Sequence, residues 1–85
     1  MWYVYVLQSL KDSHKYIGFT EDLKRRFAEH NSDSFPGTYT SKHKPFKLIY
    51  YEAYENKLDA QEAERFYKTG YGREILKGKL KNYLR

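Results

Sequence analysis

Residues 2–8 set the terms for the rest of the chain. Their side chains alternate, Trp2, Val4 and Val6 against Tyr3, Tyr5 and Leu7, which is the period of a β-strand. These are also residue types that pack well on a pleated surface. A sheet built on such a segment must be covered by helices on at least one face. The chain has 85 residues, room for one core and no second, so a single domain over residues 1–85 is expected. Aliphatic side chains are few, whereas there are ten Tyr and five Phe, so aromatic rings must supply much of the buried area. With no Cys, disulfides, thiolate zinc sites and thiol catalysis are excluded.

A polar stretch follows, with Lys11-Asp12-Ser13 as its turn, and residues 15–19 read as a returning strand. Thr20 is placed to cap a helix ending at His30, with Glu21 and Asp22 in its first turn, where the helix dipole favours acids. Leu23 and Phe27, four apart, form its buried stripe, and Arg26 and His30 lie one turn apart on an adjoining face. Residues 31–45 are rich in Ser, Asp, Gly and Pro and read as one long loop, a length that in compact domains often signals function. Residues 46–54 form a third, aromatic strand. Residues 56–67 form a second helix, with Leu58, Ala60, Ala63 and Tyr67 available for packing. Gly70 and Gly72 are expected to break it, and residues 73–83 to form a third helix with Ile75, Leu76 and Leu80 inward. The expected fold class is α+β, a three-stranded antiparallel sheet packed by three helices in the order ββαβαα.

The net charge is +5, and it is unevenly placed. Residues 1–67 carry ten Lys/Arg and ten Asp/Glu, whereas residues 68–85 carry six Lys/Arg against Glu74 alone. A basic end on a neutral body suits a polyanion such as DNA or RNA, although lysines on a solvated helix give the same count. The apolar run at residues 2–7 is too short for a signal peptide or membrane span. A cytoplasmic protein without membrane association is expected.

The order of parts, with Tyr5 on the first strand, Tyr16-Ile17-Gly18 on the second, Arg26 eight residues after that Gly, His30 one turn later and Glu64 between Ala60 and Lys68, resembles the GIY-YIG nuclease domain, and most of all its small stand-alone bacterial members. The first motif departs from the pattern, reading Tyr3-Val4-Tyr5 where the family has Gly-Ile-Tyr. Asn82 does not fit by spacing the asparagine that larger members carry after their metal glutamate. The resemblance implies a central place for the first strand and a catalytic set of Tyr5, Tyr16, Arg26, His30 and Glu64 converging on one concavity, with Gly18 as a structural motif residue. It further implies an endonuclease that hydrolyses DNA phosphodiester bonds with one Mg²⁺ or Mn²⁺ ion held by Glu64, a water nucleophile and Tyr5 as base, with His30 the runner-up.

The chemistry of those residue types agrees with the resemblance. One carboxylate suffices for a magnesium ion that keeps its waters and takes further ligands from phosphate. Arginine offers a planar cationic fork to a phosphate, which lysine cannot reproduce. A phenol, with an ordinary pKa of roughly 10, needs its anion stabilised by nearby cations or hydrogen bonds before it can act as base. Thr40, Lys42, His43 and Lys44 in the long loop, and Lys24 and Arg25 beside Arg26, are expected nucleic-acid contacts. None of them encodes base readout, so DNA is expected to be bound with little sequence specificity. His14 reads as an ordinary turn residue. Two other functions fit the same fold, a nucleic-acid-binding module that does not cut and a protein that docks a partner through aromatic surface.

Overall fold

The alternating segment becomes the middle strand of a three-stranded sheet. The computed structural model describes residues 1–32 and 42–85. Its elements are β1 (Trp2–Ser9), β2 (Lys15–Thr20), α1 (Leu23–His30), β3 (Phe46–Tyr54), α2 (Lys57–Tyr67) and α3 (Gly70–Lys79). This is the expected α+β order, and the strands run β2-β1-β3 with both pairings antiparallel. Being central, β1 is apolar on both faces, and Val4, Tyr5, Val6 and Leu7 are all fully buried.

The alternation divides the core between two layers. Val4, Val6 and Ile17 pack with Ala60, Tyr67, Leu76 and Leu80 under α2 and α3, while Tyr5, Leu7 and Phe46 pack with Tyr16, Leu23, Phe27 and Leu48 under α1. Each fully buried Val or Leu contributes about 1.5–3 kcal/mol relative to an exposed one. A register shift between Val6 and Leu7 pairs Val6 with Tyr50 but Leu7 with Leu48, leaving Ile49 as the extra residue of a bulge. The bulge lets Phe46 and Leu48 share the α1 face with Tyr51 even though strict alternation from Tyr51 would turn them away.

Helix boundaries differ from expectation at two places, each with a local cause. The N-cap of α1 is Asp22, whose carboxylate accepts from the Arg25 amide, and its first turn holds no acid. Thr20 instead ends β2, and its hydroxyl accepts from the Asp22 amide, shaping the turn that precedes the helix. The third helix starts at Gly70, capped by Thr69, so Gly70 and Gly72 lie inside it and the break falls at Lys68 and Thr69. Gly72 is buried there, and a Cβ on it would lie 1.8 Å from the Phe66 carbonyl oxygen. Its small size permits the tight α2–α3 turn. Leu76 and Leu80 point inward as expected, but Ile75 and Leu58 are exposed.

A cluster with no sequence signature fastens β3 to α2. The phenols of Tyr50, Tyr54 and Tyr67 all donate to the Glu52 carboxylate. Burial alone would raise the Glu52 pKa, but the three hydrogen bonds outweigh it and hold the carboxyl below its ordinary value. Burial and the same carboxylate push Tyr50 and Tyr54 up to about 12.

Candidate active site

Tyr5 stands opposite Gly18 in the β1–β2 ladder, and the absence of a side chain there decides where its phenol goes. A Cβ on Gly18 would lie 2.5 Å from the Tyr5 hydroxyl and 2.7 Å from Cζ. The ring lies across the glycine, toward the β2 edge of the sheet. Gly18 is thus more than a strand-end residue; it is the floor on which the phenol rests.

At that point the Tyr5 hydroxyl is hydrogen-bonded to His30 Nε2 at 2.9 Å. His30 is the last residue of α1 and is buried. Its ring also meets Tyr16 at 4.9 Å and Phe46 at 6.3 Å between centroids. Asn31, the C-cap of α1, fixes the helix end, because its side-chain amide donates to the Phe46 carbonyl and accepts from the Phe46 amide. That double bond imitates a strand pairing and holds His30 against β3 from within the segment expected to be loop.

The electrostatics keep both partners neutral. Burial, then the Tyr16 phenol, raise the proton affinity of Tyr5; Arg26 opposes them, and Glu64 and Glu29 add to them. Burial and Arg26 lower the His30 pKa below its ordinary value, against the pull of Glu29. In the tautomer that carries its proton on Nδ1, a neutral His30 accepts at Nε2 a hydrogen bond from the Tyr5 hydroxyl. Both shifts hold the shared proton on the phenol in the resting pair.

Arg26 projects from α1 on the side of His30, half-exposed, with its guanidinium 3.4 Å from Glu29. Glu29 also pairs with Arg25 at 3.5 Å. It is a residue that spacing alone did not single out, although Arg25, Arg26 and Glu29 at i, i+3 and i, i+4 are a legible helix pattern. Lys24, Arg25 and Arg26 line an open hollow of about 1080 Å³ that continues over Tyr3 and Tyr51.

Glu64 belongs to the other layer. It lies on α2, largely buried, and is paired with Lys68 at 3.3 Å. The end of α2 runs beside β2, where Lys68 lines a groove together with Tyr16 and Ile17. Glu64, one turn earlier, acts electrostatically on Tyr5. Tyr16, Arg26 and Glu64 all act electrostatically on the Tyr5 phenol, to which His30 is hydrogen-bonded. Four come from the α1 face, Glu64 approaches by the β2 edge, and Arg26 and Tyr16 open onto different hollows.

Two of the expected loop contacts, His43 and Lys44, are tied to neighbouring segments. His43 Nδ1 lies 2.6 Å from the Asp12 carboxylate, and its ring stacks on His14 at 5.0 Å. Its carbonyl accepts from the Ser9 hydroxyl. His14 therefore takes part in a clamp between hairpin and loop and is more than a turn residue. Lys44 donates to the Ser32 carbonyl at 3.5 Å, and Lys42 is exposed. Thr40 lies outside the described residues.

The sequence match that places this geometry covers residues 1–79, which fit the model of the GIY-YIG catalytic domain. The chain belongs to the GIY-YIG family. It is therefore a member of a nuclease family, whose substrates are nucleic acids. Among its relatives is a UPF0213 protein from the ldhD 5′ region of Pediococcus acidilactici, 44% identical over 77 residues, which span 89% of this chain and 78% of that one. A UPF0213 protein of Streptococcus pneumoniae is 42% identical over 78% of this chain and 65% of its own length. One from Clostridium perfringens is 41% identical over 80% and 71%. No solved structure matches the chain. Among the described residues no helix is long and apolar enough to cross a membrane.

Proposed function

We propose that this GIY-YIG chain is an endonuclease that hydrolyses DNA phosphodiester bonds with the help of one divalent metal ion. The reading rests chiefly on the Tyr5–His30 hydrogen bond, laid over Gly18 in a chain that carries the family's domain.

Glu64 is the residue that would hold the metal. Among the described residues no three His, Asp or Glu side chains gather into a preformed metal cage. A single hard carboxylate suits magnesium, which retains waters and takes oxygen ligands from a phosphate. Once bound, such an ion supplies stabilisation of the charge that develops on the leaving oxygen. Arg26 binds the scissile phosphate through its fork after releasing Glu29, an exposed pairing that is weak enough to exchange. Tyr5 takes a proton from the attacking water after giving its own to His30, and Tyr16 helps to orient the phenol. Because burial and the nearby carboxylates disfavour the phenolate, the cationic charge of Arg26 is essential to that step.

The test is nicking of supercoiled plasmid with and without Mg²⁺ or Mn²⁺, by the wild type and by Glu64→Ala. Metal-dependent nicking by the wild type and none by the folded variant supports the proposal. A wild type that cuts no plasmid or branched DNA with any metal sinks it in favour of a binding module.

A further inference from the structure

Between β2 and α3 lies a groove of about 590 Å³ that adjoins the candidate active site. Its rim carries four cations, Lys15, Lys68, Arg73 and Lys77, and no carboxylate lines it. Its floor is apolar, formed by Ile17, Leu76 and Leu80. It meets the candidate active site twice, since Tyr16 lines it beside His30, and Lys68 on its rim is the ion-pair partner of Glu64. Three of its cations come from residues 68–85, the segment that holds all of the chain's surplus positive charge.

We infer that this groove carries the sugar–phosphate backbone of the bound nucleic acid away from the cleavage point, on the side opposite the Arg26 hollow. The inference rests on the nuclease reading and extends it by naming the surface that the strand follows. Charge selects the occupant. A rim of four cations, two of them paired with carboxylates of α2 and α3, running up to a site for a phosphodiester, complements a chain of phosphates, and phosphate contacts fix the register of a nucleic acid on a protein without reading its bases. Lys15 and Arg73 form no ion pair among the described residues. Lys77 holds Glu74 only through an exposed contact of 3.4 Å, which a phosphate readily replaces. The apolar floor gives the aliphatic stems of these side chains and the sugar faces a surface to lie against.

The experiment measures binding of the full chain to a fluorescein-labelled 24-base-pair duplex by anisotropy, in EDTA, across a range of salt. Lys15→Ala/Arg73→Ala/Lys77→Ala should lower the magnitude of the log–log salt slope by roughly two to three, at about 0.9 per lost phosphate contact on duplex DNA. A charge-conserving variant, Lys15→Arg/Arg73→Lys/Lys77→Arg, should keep the wild-type slope. Removing equal charge elsewhere, with Lys47→Ala/Lys79→Ala/Lys81→Ala, should change the slope by less than one unit or so. A groove variant with wild-type slope and affinity overturns the inference, as does an equal loss in the triple variant of residues that do not line the groove. If those results accompany normal binding and Arg26-dependent cleavage by the wild type, the nuclease reading survives and only the groove falls. If the wild type binds no DNA at any salt, both fall together.

Discussion

Replacing Gly18 by Ala should dislodge the Tyr5 phenol while leaving the sheet in register. The added Cβ would sit 2.5 Å from the Tyr5 hydroxyl, about 0.9 Å inside an ordinary contact of about 3.4 Å. The hydroxyl is the far end of its side chain, but it has little freedom to withdraw. The ring is 2% exposed and its oxygen is tied to His30 at 2.9 Å. A retreat of that size stretches the hydrogen bond beyond useful length, a loss of about 0.5–1.5 kcal/mol. Overpacking costs about 1–3 kcal/mol, and the reduced freedom of the unfolded chain returns about 0.4–1 kcal/mol. The net expectation is a destabilisation of about 0.5–4 kcal/mol, measured by urea unfolding followed by circular dichroism, with cleavage falling in parallel. NMR of the His30 ring should show loss of its hydrogen-bonded partner. A variant within about 0.5 kcal/mol of wild type and with unchanged His30 shifts would refute the view that Gly18 is the phenol's floor.

Two further predictions concern charge. Glu52→Gln should destabilise the fold by about 2 kcal/mol or more, because three phenols lose their anionic acceptor, as thermal and urea unfolding would report. With its folded pKa depressed, Glu52 contributes stability that is complete above its unfolded value, roughly 4.3, and declines as pH falls below it. Tyr50 and Tyr54 contribute in the opposite sense. Raised to about 12, they hold their contribution below roughly pH 10 and lose it as pH climbs toward their folded values; pH-dependent unfolding of wild type and the glutamine variant separates these effects. His30, with its pKa lowered by burial and by Arg26, should titrate by NMR below its ordinary value of roughly 6.5. Its share of stability should be complete above that pH and decline below it, and a midpoint above it would contradict the neutral-acceptor role.

The sequence carried the layering of this protein more clearly than its joints. Alternation in residues 2–8 and the Leu23/Phe27 spacing led directly to a strand and an amphipathic helix, because a period of two or of about 3.6 is a local property, whereas the central place of that strand came from the family resemblance. Boundaries depended on competition that composition does not reveal. Asp22 and Thr20 are both good caps, and the turn between them assigned the roles. Gly72 looked like a breaker, but its function is close approach to Phe66, which exists only once α2 and α3 meet. The bulge at Ile49 and the Glu52 hub join residues through the sheet register, and no window of sequence contains that information. The same holds within the site. The types and spacing of Tyr5, Arg26 and His30 were legible, whereas the fixing of His30 by Asn31 and the approach of Glu64 from the other layer emerged only from the fold.

The most direct test of the account is cleavage by Tyr5→Phe, which deletes one hydroxyl and with it the hydrogen bond to His30. The reading is single-turnover hydrolysis of an end-labelled DNA in Mg²⁺ or Mn²⁺, with affinity measured in EDTA and folding checked by circular dichroism. The Tyr5→Phe protein should fold, bind DNA within about twofold of wild type and cut at least about 10²-fold more slowly, the lower end of what a positioned acid–base group supplies. Cleavage at the wild-type rate would contradict this and reduce Tyr5 to a packing residue.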